Sequence, residues 1–346
     1  MTDPRADSRS PYEHDIHAQP DVLQQLLDSG LGAEGRHVLG LATSVDRIVL
    51  TGMGASLHGM YPSYLRLLDA GLPVWLVETA ELLGPAGGLV TPTTLLWITS
   101  QSGHTAEVIA LLSEARVRPA AILGVTNSDD SPLALGCDAV LSLRSGTEMT
   151  VGTRSYTNTL AVTALAADAI LGAGSSERAL RLVPQALSDY LHRWDEHVAR
   201  LETDVLRDTA LFALGRSSSL AAAATGALIV KEAAAHPIEP LSAPQFRHGP
   251  LEMAGPAITT LILAGDGYSR PLNARLDDDL RSFGANTVWL DPREESHGPP
   301  LPHLTDDVTR PFAEILPFQA LSVALARRAS RVPGNFSKIG KVTTTL

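Results

Sequence analysis

A chain of 346 residues with 44% hydrophobic content is long enough for two domains of roughly 150 residues, each with its own buried core. A net charge of -11 and only 27 lysines and arginines, thinly spread, exclude a nucleic-acid surface, which needs clustered basic side chains. No apolar run approaches the roughly 18 residues of a membrane span, and the polar first 11 residues lack the apolar stretch of a signal peptide, so a soluble, cytoplasmic protein is expected. The single cysteine, Cys137, has no intramolecular disulfide partner and reads as a small residue leading into a strand rather than a nucleophile.

In chain order, residues 17–27 open with Pro20 and Asp21 and continue with leucines at helical spacing, which predicts a lead-in helix. Apolar strand-like runs at 48–50, 74–77, 95–98, 121–125 and 139–141 then alternate with helical segments at 57–70 and 106–115. Buried strands separated by helices indicate a parallel sheet covered on both faces. This first domain spans residues 35–175 and closes with an apolar helix at 158–171, while residues 1–34 form a tail and the lead-in helix. A charged helical connector, 176–204, leads to a second domain over 205–330, with strands expected at 210–214, 260–264 and 287–290. Its Gly215-Arg216-Ser217-Ser218-Ser219 follows an apolar run just as Gly52 to Ser56 does, 163 positions later, so a tandem duplication of one doubly wound parallel-sheet unit is expected. A proline-rich loop at 298–302 precedes a final helix at 312–328, and residues 331–346 form a tail able to fold over a site and deliver a lysine.

Two stretches carry phosphate-binding chemistry. Thr99-Ser100-Gln101-Ser102-Gly103-His104-Thr105 and Gly52-Met53-Gly54-Ala55-Ser56 each follow an expected strand and open a helix. Unpaired backbone N–H groups at a helix start, with the positive end of its dipole, bind a phosphate without a basic side chain. The alternative for the first stretch is a serine-rich turn that merely caps the helix beginning near Ala106. A dinucleotide fingerprint would need glycine at position 57, where Leu57 stands. A second segment runs from Lys231-Glu232 to Phe246-Arg247-His248-Gly249-Pro250. A carboxylate and an imidazole brought to one pocket can share proton transfers. Composition alone favours the plainer reading, a solvated Glu232 paired with Lys231 or Arg247 beside a loop histidine.

The order of motifs adds information. Gly-x-Gly-x-Ser, Ser-Gln-Ser-Gly-x-Thr, Gly146-Thr147-Glu148 followed by Val151, Glu232 sixteen positions before His248-Gly249-Pro250, and a terminal Lys341-Val342-Thr343 together resemble the sugar isomerase (SIS) family. Within it the chain is most similar to the isomerase half of glucosamine-6-phosphate synthase and to stand-alone aminosugar-phosphate isomerases and deaminases. The resemblance implies two tandem SIS domains with the tail over the site. It also implies that Gly54, Ser56, Ser100, Gln101, Ser102 and Thr105 hold a sugar phosphate and that Thr153 faces the sugar hydroxyls. Glu232 takes the place of the base that moves a proton between C1 and C2, His248 that of the ring-opening histidine, and Lys341 that of the tail lysine near the open-chain carbonyl. In the synthase the histidine comes from the neighbouring subunit, which implies a homodimer here. No metal and no redox cofactor is called for.

Departures bear on the transfer. Ala55 replaces threonine, Ile229 replaces lysine, His104 replaces glutamate, and the segment after Val151 is one residue shorter. The chain starts at a methionine with no cysteine near it, so a glutamine-hydrolysing domain is not expected. The expectation is therefore conversion of glucosamine 6-phosphate, or a close analogue, to fructose 6-phosphate and ammonia. Alternatives of the same kind are a ketose–aldose isomerase and a fructosamine-phosphate deglycase, and the alternative of another class is a sugar-phosphate-sensing module.

Overall fold

The structure, a computed structural model, describes residues 9–114, 118–205, 209–293 and 299–345. The first eight residues of the expected tail, the end of the expected helix at 115 and the start of the proline-rich loop at 298 lie outside them.

Along the chain, α1 (Pro11–His17), α2 (Gln19–Ser29) and α3 (Gly32–Ala42) lead into β1 (Arg47–Gly52), α4 (Gly54–Asp69), β2 (Val74–Glu78), α5 (Thr79–Leu83), β3 (Thr94–Thr99) and α6 (Ala106–Glu114). Next come β4 (Ala121–Thr126), α7 (Pro132–Gly136), β5 (Ala139–Ser142) and α8 (Arg154–Leu171), then α9 (Ser175–Leu180), α10 (Val183–Leu191) and α11 (Trp194–Val205). The last third holds β6 (Ala210–Gly215), α12 (Ser219–Ala234), β7 (Glu239–Ser242), α13 (Ala243–Arg247), β8 (Ile258–Leu263), α14 (Ser269–Ser282), β9 (Asn286–Leu290), α15 (Arg310–Glu314) and α16 (Leu316–Arg328).

The strands form two sheets, both parallel: a five-stranded one in the order β2-β1-β3-β4-β5 and a four-stranded one in the order β7-β6-β8-β9. The α/β class with parallel sheets is as the apolar runs predicted. The chain divides into two compact units, one holding Asp21–Glu148, Thr153–Arg181 and Lys338–Leu346, the other Met1–Pro20, Met149–Gly152 and Leu182–Ser337. Each sheet belongs to one unit.

In the first-sheet unit every residue of β3 is buried, as an uninterrupted apolar run in a sheet covered on both faces requires. Val49, Leu96 and Ile98 pack on one face with Leu82, Val108, Leu111 and Leu133 from the flanking helices. Cys137 lies beside this cluster, its thiol pushed up to about 12 by burial and, secondarily, by Asp138. A thiol held protonated is a poor nucleophile, in keeping with the structural reading. The core of the second-sheet unit gathers Phe212, Leu214, Phe246, Ile262 and Trp289, with the Phe212 and Phe246 rings edge to face at 5.3 Å.

Three elements differ from the sequence reading. The lead-in helix is two helices: α1 is closed at Ala18, and α2 takes Pro20 in its first turn, where a missing N–H costs nothing. The final helix is likewise two, with Pro317 in the first turn of α16. Strand β7 reads Glu-Pro-Leu-Ser, which no apolar run announces; it lies at the sheet edge, where a proline is tolerated because no neighbour needs its N–H.

The second-sheet unit also buries an unusual carboxyl. Glu314 accepts from the Ser219 hydroxyl at 2.8 Å, and its Oε2 has no partner among the described residues. Burial pushes its pKa up to about 7, helped by Asp307 and Asp266 and opposed by Arg310 and the Ser219 bond. The folded chain thus holds this proton more tightly than the unfolded chain, whose carboxyl titrates near 4.5. The associated stability is full below that value and is lost as pH rises towards 7. Melting curves of wild type and Glu314→Gln across this range are expected to diverge, wild type losing ground with rising pH. Parallel curves would mean that Glu314 keeps an ordinary pKa.

Candidate functional site

In a doubly wound sheet the ligand crevice opens where consecutive connections leave in opposite directions, at the carboxyl ends of the strands. The order β2-β1-β3-β4-β5 puts that point between β1 and β3, where Gly52 and Thr99 are register partners. Both serine- and glycine-rich stretches begin there. A Cβ at position 52 would come within 2.8 Å of the Thr99 carbonyl oxygen, so only glycine lets the two strands end this close together.

The loop after β3 braces itself. The Ser100 and Thr105 hydroxyls share a hydrogen bond of 2.9 Å, and Ser100 Oγ accepts from the Gly103 N–H at 3.2 Å. From the neighbouring β4 end, Asn127 N–H donates to the Gln101 carbonyl at 3.0 Å. Ser100 is buried, while Gln101, Ser102 and Thr105 remain partly exposed and able to meet a ligand. Gly103 has φ +66, and a Cβ there would sit 2.1 Å from Ser131 Oγ. Gly103→Ala is therefore expected to destabilise the chain by about 1–3 kcal/mol, through backbone strain and overpacking, and to weaken phosphate-ester binding with it. Urea unfolding and calorimetric titration check both parts.

At the other mouth strand, α4 starts at Gly54, with φ +51 and no side chain capping its first turn. The Ser56 N–H in this first turn is taken by the Met53 carbonyl at 3.2 Å, and the Ser56 side chain is partly exposed at the mouth.

The tail of the chain closes on the same unit. The Thr343 carbonyl accepts from the Ala106 N–H at 3.1 Å, at the start of α6. Lys341 Nζ donates to the Glu148 backbone oxygen at 2.5 Å and to its carboxylate at 3.1 Å. The Glu148 side chain is fully buried and receives four further bonds: from Thr153 N–H at 2.7 Å, Thr153 Oγ at 3.0 Å, Ser155 N–H at 3.2 Å and Ser155 Oγ at 2.7 Å. Thr153 is buried, its hydroxyl committed to that carboxylate. Glu148 is thus the anchor of both the Thr153 turn and the tail lysine, a role not assigned to it from sequence. The available signal was an acidic residue in an otherwise neutral loop, Gly146-Thr147-Glu148, five positions before Thr153.

Glu232 and His248 belong to the second-sheet unit. Glu232 lies near the end of α12 and is partly exposed; His248 is exposed, at the end of α13 just before Gly249 with φ +135. Arg247 pairs with Asp279 at 2.7 Å. The structure therefore groups the cradle, Thr153 and Lys341 in one unit and the two proton-transfer candidates in the other.

The second sheet has a mouth of its own, between β6 and β8, where Gly215 to Ser219 resembles the first cradle. Its hydroxyls, however, face acids: Ser218 donates to Asp307 at 2.9 Å and Ser219 to Glu314. The buried Arg310 donates to Ser218 Oγ at 3.0 Å and to Asp307 at 2.7 Å, with Asp266 at 3.8 Å. Acids beside these hydroxyls oppose a phosphate, whereas among the described residues the hydroxyls of the first mouth meet no acid.

A parallel sheet with a serine- and glycine-lined mouth and a lysine tail laid beside it agrees with the comparison of families: residues 42–169 match the family described as the SIS domain. Over 358 aligned residues the chain is 26% identical to glutamine–fructose-6-phosphate aminotransferase (isomerizing) of Pyrococcus horikoshii, covering 96% of this chain and 58% of that protein. It spans between 51% and 58% of the length of this and the next two curated relatives. Among solved structures, the C-terminal domain of glucosamine-fructose-6-phosphate aminotransferase from Francisella tularensis superposes with a TM-score of 0.81 at 17% identity, over 92% of this chain and 96% of that one. Glucosamine-6-phosphate deaminase from Thermotoga maritima gives 0.74 at 21%, over 96% and 99%. At these identities the two structures establish a shared fold. Among the described residues no helix is long and apolar enough to cross a membrane.

Proposed function

We propose that this protein converts an aminosugar phosphate, with glucosamine 6-phosphate as the leading substrate, to the ketose phosphate and ammonia. The observation that carries the reading is the mouth between β1 and β3, where the neutral, partly exposed side chains of Ser56, Gln101, Ser102 and Thr105 stand at the strand ends. The tail lysine anchored on Glu148 in the same unit supports it. Such a mouth suits a phosphate ester, because each donor is polarised towards an anion without a counter-charge to displace.

In the proposed reaction Gly54, Ser56, Ser100, Gln101, Ser102 and Thr105 grip the phosphate. The His248 imidazole protonates the ring oxygen as the hydroxyl at C1 gives up its proton, which opens the pyranose to an aldehyde. Glu232 removes the C2 proton as the C1 oxygen gains one, forming an enolamine, and returns its proton to C1 as the amino nitrogen gives one up. The product is an imine at C2, and addition of water expels ammonia and leaves fructose 6-phosphate. Lys341 contributes positive charge beside the carbonyl oxygen as electron density builds there. Acid–base steps alone balance the sequence.

We also propose that the second sheet is a second SIS unit, since its order β7-β6-β8-β9 repeats β2-β1-β3-β4. The working form in this reading is a homodimer, with His248 supplied by the partner copy.

The test is to incubate the purified protein with glucosamine 6-phosphate, galactosamine 6-phosphate and a fructosamine phosphate, following ammonia and ketose phosphate together. Equal release of ammonia and fructose 6-phosphate from the first is the expected result. Aldose–ketose interconversion without ammonia would replace deamination with isomerisation. Phosphate-ester binding without any turnover would make the chain a sensor.

A further inference from the structure

Beside its mouth the five-stranded sheet changes how it is held together. Strand β5 pairs with β4 as far as Ser142 opposite Thr126, and the next amide, of Leu143, still donates to the Thr126 carbonyl at 2.8 Å. Arg144 then takes φ +48, a left-handed conformation that turns the chain out of the strand direction, and Gly146 follows at φ +66. A strand ladder does not continue through such residues. Its place is taken by a side chain: Asn127, the first residue after β4, accepts from the Ser145 N–H at 2.8 Å through Oδ1 and donates from Nδ2 to the Gly146 carbonyl at 2.9 Å. A backbone N–H only donates and a carbonyl only accepts, so the two partners fix which way the amide points.

The main chain of the same residue holds the loop after β3. Asn127 N–H donates to the Gln101 carbonyl at 3.0 Å, and the Thr126 hydroxyl donates to that carbonyl at 3.3 Å. One half-buried residue therefore ties the loop after β3 to the loop after β5. Two positions beyond Gly146 comes Glu148, which fixes Thr153 and Lys341.

We propose, on the reading that a phosphate ester occupies the first mouth, that Asn127 is a positioning residue for the sugar part of that ester. It touches neither the phosphate nor the reacting carbons. Its role is to set the distance between residues 100–105, which grip the anion, and the Glu148 anchor, which presents Lys341 to the sugar. A carboxamide suits this task because it offers a donor and an acceptor on one planar group, as a peptide unit does. An aspartate has the acceptor without the donor and would set an oxygen against the Gly146 carbonyl. The tail meets the far end of the same loop where Ala106 N–H donates to Thr343, so the sugar-side groups are tied to the phosphate loop at both of its ends.

The experiment is calorimetric titration of the whole protein with two probes: inorganic phosphate, and the open-chain alcohol of glucosamine 6-phosphate, which has no C1 carbonyl and so does not react. Inorganic phosphate reports on the phosphate loop by itself, and the ratio of the two affinities reports on the sugar part. Asn127→Ala and Asn127→Asp are each expected to reduce that ratio about tenfold or more, the worth of one or two hydrogen bonds to a displaced sugar, while phosphate binds within about threefold of wild type. Melting temperatures establish that the variants are folded during the titration. A lowered melting temperature with an unchanged ratio in both variants would overturn the assignment, since a residue that serves stability alone gives that result. Wild-type protein that binds neither probe would overturn the placement of the ester in the first mouth, and the role of Asn127 with it. Should neither variant fold, the wild type still decides. Exchange of the Ser145 amide is expected to slow more with the saturating sugar ester than with saturating phosphate, and equal slowing by both would overturn the coupling.

Discussion

Replacing Glu232 by glutamine is expected to lower turnover of glucosamine 6-phosphate by about a hundredfold to ten-thousandfold, the usual contribution of a positioned general base, while leaving the affinity for the substrate nearly unchanged. Glutamine keeps the length and the hydrogen-bonding shape of the side chain and removes its capacity to take a proton from C2. The substitution sits near the end of α12, at a partly exposed position, and the melting temperature of the variant checks the fold. Steady-state kinetics with the ammonia assay, together with calorimetric binding of the substrate to the variant, separate the two quantities. A further readout is exchange of the C2 hydrogen with deuterated solvent, which the variant should lose along with turnover. Comparable activity in the variant would remove Glu232 from the chemistry without touching the phosphate cradle, which lies on other residues.

The second large effect is expected at Glu148, and it is one of stability as well as activity. Glu148→Ala leaves the donors of Thr153, Ser155 and Lys341 without their shared acceptor inside the protein, a loss of about 3 kcal/mol or more by analogy with broken buried pairs. Urea unfolding measures it. Lys341→Met should cost much less, because Glu148 keeps four other donors and Lys341 itself is partly exposed. Both variants release the tail, so amide exchange at Ala106, whose N–H donates to Thr343, should accelerate in each. If Glu148→Ala unfolds at the wild-type urea concentration, the carboxylate is not the anchor its contacts make it. If Lys341→Met leaves Ala106 protected, the tail is held by Thr343 alone.

These two positions illustrate what one reads from a sequence and what one does not. Glu232 and His248 are recognisable by spacing, because a family resemblance is a pattern of residue types in order. Glu148 stands inside the same pattern, yet its partners are Thr153 and Ser155 nearby and Lys341 almost two hundred positions away, and no periodicity links residues so distant. The tandem serine motifs make the complementary case. Gly52 to Ser56 and Gly215 to Ser219 read alike, but the hydroxyls of the second face Asp307 and Glu314, brought in from the chain's last third. Likeness of two short motifs fixes neither what surrounds them nor whether an anion is welcome there.

The sequence by itself determined the α/β class, the parallel strands of both sheets except β7, and the placement of the serine-rich stretches at strand ends. These follow from local rules: apolar runs for strands buried on both faces, and glycine and hydroxyl residues where a strand turns into a helix. Only the tertiary structure decided that the mouth between β1 and β3 keeps neutral donors, that Arg310 and three acids occupy the other, and that the tail is tied to Glu148 and Ala106. The physical reason is range. Strand and helix formation is settled among neighbours a few residues apart, whereas the charge and hydrogen bonding of a site depend on which distant side chains the completed fold delivers to it.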